Sequence, residues 1–258
     1  LIGREAYVGG GIQQWREATA HWNGPDAHAE FVERSYRDAI DVALASGNDI
    51  IRPSYWRYDR KPTKKIDDYT FLYEYGPEED WRVLKYDPGS EQCDIVYYKP
   101  RPEATFDTIE REVAATEASL ADYQPLESSD SFEQRAKREL GDEYEIRVGG
   151  VGLGVPLRGI EIWMEALLLR PDLIERLLDA QVETARRNVA FLSGLGFSHF
   201  WGGTDFASNE GPMFSPRLLR DVFLPRFRAV TEICHQYGGL HIFASDGNLW
   251  PVADMMFG

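Results

Sequence analysis

Residues 197–248 read FSHFWGGTDFASNEGPMFSPRLLRDVFLPRFRAVTEICHQYGGLHIFASDGN, and this stretch decides the fold. The short aromatic run 197–201 predicts a strand, and the polar segment from Gly202 to Pro212 predicts a loop. Ser215-Pro216 then carries a helix start, with serine as cap and proline in the first turn. The amphipathic helix runs to about Tyr237, where Gly238-Gly239 ends it. A second strand follows at 240–244 and runs into Ser245-Asp246-Gly247-Asn248 and a last helix. Strand, loop, helix and strand with short connections favour a parallel sheet or barrel.

The same alternation extends upstream. Residues 26–46 have apolar positions at helical spacing and stop at Gly47, and 49–53 is a short β-branched strand ended by Pro53. A strand is expected at 144–151, followed by helices at about 159–169 and 171–193, with Pro171 and Asp172 in the first turn of the second. The pattern breaks at 66–100, where three aromatic-rich segments separated by turn residues predict an antiparallel insertion, a lid or edge ribbon. Helices are expected at 103–121 and 129–139. With a first strand at 5–8, about five barrel strands are counted rather than eight. A single barrel domain over 1–258 is therefore expected to lack its last units at the C-terminal end. The missing initiator Met further suggests a start inside the natural chain.

Composition limits what such a chain can do. A hydrophobic share of 43% with 13% aromatics supports a large core and excludes disordered and collagen-like classes. No run approaches the roughly 18 apolar residues of a membrane span, and the N-terminus has no signal core. The formal charge of −15 opposes nucleic acid and anionic membranes as partners. Cys93 and Cys234 lie far apart, so a disulfide framework is not expected, and a reducing cytoplasm is the simplest home.

Catalytic groups in parallel barrels sit just past the strands, which directs attention to three loops. In the loop 202–212, Asp205 stands as general base or substrate anchor, or else caps a turn, with Asn209 and Glu210 as substrate contacts or solvated groups. In the loop 244–248, Asp246 suits a substrate hydroxyl or amine and Asn248 suits its positioning, although Ser-Asp-Gly-Asn is also ordinary turn composition. In the third, Asp49 and Arg52 either pair with each other or hold a carboxylate, beside an aromatic wall of Tyr55 and Trp56. His241 lies within its strand, where a core role bonded to backbone is expected. The glycines at 149–154 have the wrong spacing for a dinucleotide loop. His21, His28, His199, His235 and His241 show no metal-ligand spacing, so no metal is assigned.

The ordered succession Asp205, Gly211-Pro212-Met213-Phe214-Ser215-Pro216, Phe223-Leu224-Pro225, His235, Gly238-Gly239 and Ser245-Asp246-Gly247-Asn248 resembles the uroporphyrinogen decarboxylase superfamily. So do Gly159-Ile160-Glu161, Arg170-Pro171-Asp172-Leu173 and Gly47-Asn48-Asp49-Ile50-Ile51-Arg52-Pro53. The resemblance implies an α/β fold, a (β/α)8 TIM-like barrel, and an activity of either methyl transfer or decarboxylation. It also implies that Asp49 stands where the decarboxylases keep a catalytic aspartate. Two departures shift the balance. The arginine-rich segment that binds substrate carboxylates is replaced here by Tyr7-Val8-Gly9-Gly10-Gly11-Ile12-Gln13-Gln14-Trp15. The His-x-Cys of the zinc-dependent methyltransferases is replaced by Ala244 and Asp246, so a thiol-activating zinc is not expected. An oxygen-ligated metal on Asp205, Glu210 and Asp246 is the alternative left open. The expectation is a methyltransferase for a small methylated substrate, with a corrinoid delivered by a partner protein. A carboxy-lyase or a non-catalytic binding barrel are the alternatives, and a homodimer is compatible with each.

Overall fold

The structure is a computed structural model that describes residues 5–54, 57–76, 80–100, 103–125, 131–156 and 159–258. The chain divides into two compact units, one from residues 1–102 and 130–144, the other from 103–129 and 145–258.

The first unit starts with a helical hairpin, α1 (Gly11–Asn23) and α2 (Pro25–Ala45). Gly24 breaks the helix and Pro25 opens the next, because proline has no amide to lose in a first turn. Segment 5–8 forms no strand. The Tyr7 amide instead donates to the Asp38 carboxylate (2.6 Å) on α2, and the Arg16 and Arg34 guanidinium groups lie over the Tyr7 ring. Strand β1 (Ile50–Ile51) is followed by an antiparallel sheet of β2 (Lys64–Lys65), β3 (Thr70–Glu74), β4 (Trp81–Asp87) and β5 (Gln92–Tyr98), hydrogen-bonded in that order. The aromatic alternation of these segments is thus the period-2 pattern of strands with one buried face. Phe71, Tyr73 and Leu84 pack with Ala18 of α1 in a core bordered by Trp15, Tyr58, Tyr75 and Cys93. Trp15 stacks on Tyr86 at 5.0 Å and donates its indole N–H to the Asp68 carbonyl.

One charge lies inside this unit. The Glu17 side chain has no exposure to solvent. Arg57 donates to its Oε1 through Nε (3.0 Å) and Nη2 (2.6 Å), and the Tyr58 amide donates to Oε2 (2.8 Å). An ion buried this deeply is tolerated only with such partners.

The second unit contains α3 (Phe106–Ser119), β6 (Glu145–Val148), α5 (Ile160–Leu169), α6 (Pro171–Gly194), β7 (His199–Gly203), α7 (Leu224–Gln236), β8 (Leu240–Ala244) and α8 (Ala253–Phe257); α4 (Phe132–Leu140) belongs to the first unit. Strands β6, β7 and β8 are parallel, with Val148 opposite Phe200 and Phe200 opposite His241. Beyond its pairing with β7, β8 meets no further strand among the described residues. The described strands therefore form a parallel sheet and a separate antiparallel sheet, and no closed barrel. Closure needs strands, tilt and stagger right around the axis, which an open sheet cannot provide.

The expected helix start at Ser215-Pro216 is present: the Ser215 hydroxyl accepts from the Leu218 amide. The helix is not uniform, however. A π-helical turn spans Leu219–Phe223, where the Leu224 amide reaches back five residues to the Leu219 carbonyl. Pro225 explains it. Proline cannot donate to the carbonyl four residues back and crowds it, so the helix widens just ahead of the ring.

An aromatic cage sits between this helix and the sheet. Phe206, fully buried, lies 5.2–5.8 Å from the rings of Phe214, Phe223, Phe227 and Phe243. Two outcomes are expected. Phe206→Ala should lower stability by about 3–5 kcal/mol in urea unfolding, the usual cost of emptying a large core site; a loss under about 1 kcal/mol would mean that the cage is not an anchor. Arg57→Ala should cost about 3–5 kcal/mol at neutral pH, because it strands the Glu17 carboxylate. The Glu17→Gln, Arg57→Leu double variant should recover part of that loss, and a double variant as unstable as Arg57→Ala would refute the buried-charge account.

Candidate functional site

The β7 and β8 strands end side by side, and their exit loops are joined by backbone and side-chain bonds. The Ser245 hydroxyl accepts from the Phe206 amide (2.8 Å), and the Asn248 amide donates to the Ser208 carbonyl (2.8 Å). The Asp246 amide donates to Asp205 Oδ1 (3.3 Å). Gly247 is required at this junction. Its φ is +87°, in the left-handed region, and a Cβ there would stand 2.4 Å from the Ala207 carbonyl oxygen. The β7 loop is also pinned on itself: the Met213 amide bonds the Phe206 carbonyl, and Ala207 and Pro212 form an antiparallel bridge.

The sequence places Asp205 and Asp246 as catalytic candidates, and the structure brings them together at one rim of the parallel sheet. Both are exposed, as are Asn209 and Glu210, while Asn248 is half-buried. Asn248 Oδ1 accepts from the Trp250 amide, so part of its capacity holds the start of the next turn. Glu210 donates its amide to the Ser208 hydroxyl, which orders the tip of the β7 loop. Together the two loops present carboxylates at a strand exit, with Asp205 held by an amide of the neighbouring loop. Such a group can anchor a cation or a hydrogen-bond donor, or exchange a proton with a bound molecule.

Asp49 and Arg52 belong to the other compact unit. Asp49 is exposed just before β1, and Arg52 donates its Nε to the Ser54 carbonyl (2.7 Å). Tyr55 and Trp56 lie outside the described residues.

A cavity of about 440 Å³ opens between α7 and β8, lined by Phe227, Thr231, His241, Phe243 and Phe257 among others. His241 is not the backbone-bonded core histidine expected from its strand position. Its Nδ1 is paired with the Thr231 hydroxyl (3.0 Å), and the ring lines the cavity. Burial, with the charge of His235 second, lowers its pKa below the usual imidazole range. The alternation of His241 and Phe243 along β8 places both on the face toward α7, a signal that the period-2 rule carries. Neither free cysteine has nucleophile character, since burial pushes the Cys93 and Cys234 thiols up to about 11.

Asp205, Glu210 and Asp246 do not form a cluster with metal-ligand spacing. The group with that spacing among the described residues is Glu17, His21, His28 and Asp59 in the first unit. The histidine spacing in the sequence had suggested no such group. Folding the α1–α2 hairpin creates it.

No protein-family model matches this chain, and no curated protein sequence matches it. Among solved structures it is similar to a methyltransferase from Methanosarcina mazei, at a TM-score of 0.50 and 15% sequence identity. The match covers 97% of this chain and 66% of that one, so the chain spans a little under two thirds of the other protein's length. At that identity the likeness concerns the fold.

Proposed function

We propose that the chain belongs to a methyltransferase-like enzyme built on a barrel of the uroporphyrinogen decarboxylase type. In this reading β6, β7 and β8 are successive barrel strands and their exit loops form the rim of the active site. The observation that carries it is the exposed Asp205 carboxylate, held at the end of β7 by the Asp246 amide across the two loops. The structural likeness to a methyltransferase supports the same class.

The charge of the rim selects a substrate class. Between Thr204 and Phe214, and again between Ser245 and Trp250, the loops carry Asp205, Glu210 and Asp246 and no Lys or Arg. A methylated ammonium compound suits such a rim, whereas the carboxylates of a porphyrinogen would meet like charge. Asp205 would hold the cationic nitrogen, Asn248 and Asn209 would orient it, and the methyl group would pass to a corrinoid carried by a partner protein as co-substrate. The zinc of related methyltransferases does not fit these loops, because Ala244 has no donor atom and the loop carboxylates do not gather at metal-ligand spacing. Asp49 remains a catalytic candidate, and Arg52, Tyr55 and Trp56 remain substrate-contact candidates, on the sequence reading. The carboxy-lyase alternative calls for arginines at the strand exits, which these two loops lack. Half-buried Cys93 and buried Cys234, both free thiols, suit a reducing compartment such as the cytoplasm.

The test is calorimetric titration of the protein with trimethylammonium and, separately, with coproporphyrin. Saturable trimethylammonium binding is expected, weakened about tenfold in Asp205→Asn, equivalent to about 1.4 kcal/mol, and weakened further by salt. Added cob(I)alamin should then gain the visible spectrum of methylcobalamin. Coproporphyrin binding without an ammonium response would place the carboxy-lyase first, and binding of the ammonium compound unchanged in Asp205→Asn would remove Asp205 from the site.

A further inference from the structure

Outside the strand-exit loops, four side chains converge in the first unit with no role in the function proposed above. Glu17 and His21 lie one turn apart on α1 and so share a helix face. His28 comes from the first turns of α2, across the break at Gly24-Pro25, and Asp59 from the segment after β1. His21 Nε2 lies 3.1 Å from Asp59 Oδ1, and His28 Nε2 lies 3.4 Å from that same oxygen. His28 Nε2 is also 3.4 Å from Glu17 Oε1. One ligand atom from each of the four residues lies within 4.8 Å of all the others.

We propose that Glu17, His21, His28 and Asp59 form a binding site for a divalent transition metal of the zinc class. Three features carry this. First, the spacing matches. Ligand atoms arranged tetrahedrally at the bond lengths of zinc to nitrogen and oxygen stand about 3.3 Å apart, and three of the contacts here measure 3.1–3.4 Å. Second, the donor set of two imidazoles and two carboxylates suits a borderline metal better than magnesium or calcium, which take oxygen. Third, the two imidazoles converge: the rings stack at 3.5 Å with an 18° angle, and both Nε2 atoms face one carboxylate oxygen, so a single cation can meet both.

The neighbouring charges have been placed accordingly. Arg57 binds Glu17 through two nitrogens and approaches Asp59 Oδ2 at 3.4 Å. Its charge is balanced by the buried Glu17, which leaves the Asp59 carboxylate to the metal. The two histidines and Glu17 are largely buried, while Asp59 is 58% exposed, so the metal enters from the Asp59 side. A bound ion would tie the α1–α2 hairpin to the segment 57–59.

The experiment uses untagged full chain, stripped with chelator and dialysed. Titration with Zn²⁺ should show one equivalent bound, and Co²⁺ should give the intense visible d–d bands of a tetrahedral site. His21→Gln and His28→Gln should each weaken Zn²⁺ binding by at least about 10- to 100-fold, whereas His235→Gln, in the other compact unit, should leave it unchanged. The cobalt spectrum needs no variant, so it stays decisive if a substitution disturbs folding. Absence of a Co²⁺ spectrum and of stoichiometric Zn²⁺ uptake, or uptake that survives the His21→Gln, His28→Gln double variant, would overturn the proposal. Either result is independent of trimethylammonium binding at the strand exits.

Discussion

The exit of β7 is set by one constraint: there is no room for a side chain at Gly203. A Cβ at that position would stand 1.9 Å from the Ala244 carbonyl oxygen of β8. Without a side chain there, the two strand ends close together and their loops start within hydrogen-bond reach of each other. Three residues later Phe206 enters the aromatic cage and fixes the loop from below. Asp205 lies between these two fixed points. Since its neighbour points into the core, it is turned outward, toward the rim, where the Asp246 amide meets it. The exposure of the candidate carboxylate is thus a consequence of close packing on either side of it.

The first unit is organised by a different constraint, a carboxylate with no access to water. Burying Glu17 would cost several kcal/mol without partners. Arg57 and the Tyr58 amide supply them, and in doing so they draw the segment 57–59 against α1. Replacing such a pair by apolar residues is often neutral or stabilising, so a buried ion pair is weak grounds for a stability role. What the pair does determine is position. With the segment held there, Asp59 reaches the two imidazoles, which are brought side by side by the turn at Gly24-Pro25.

These two units differ in how far the sequence could be read. Helix limits at Gly47, Pro171 and Ser215, the aromatic strands within 66–100, and the loops after β7 and β8 follow from local rules, because capping, proline and alternation act over a few residues. Segment 5–8 has the same local look, yet Tyr7 is tied through its amide to Asp38 and through its ring to two arginines, contacts that no local pattern reveals. The histidine cluster fails the spacing rules for the same reason. His21 and His28 stand on two helices, and Asp59 is 38 residues from His21. The pairing of Asp205 with the Asp246 amide was partly legible, since the parallel alternation predicts adjacent strand exits. The π-turn before Pro225 was legible only as a proline inside a helix, not as the widening that accommodates it.

The distribution of arginines in the second unit bears on what the strand exits can bind. Arg176 is paired with Glu117 on α3, Arg226 with Glu175 and Asp179 on α6, Arg187 with Glu183, and Arg170 with Asp172. Several of these pairs are exposed and add little stability, since solvent screens them. Their effect on the field is larger. Each holds a guanidinium on the helical layer, beside a carboxylate that cancels it, while Asp205, Glu210 and Asp246 stand on the rim without a cation in their loops. In a chain with a formal charge of −15, the rim therefore keeps a negative potential. An anionic substrate would have to bring its own counter-charge there, whereas a cationic one would be drawn in and would neutralise the loop as it binds.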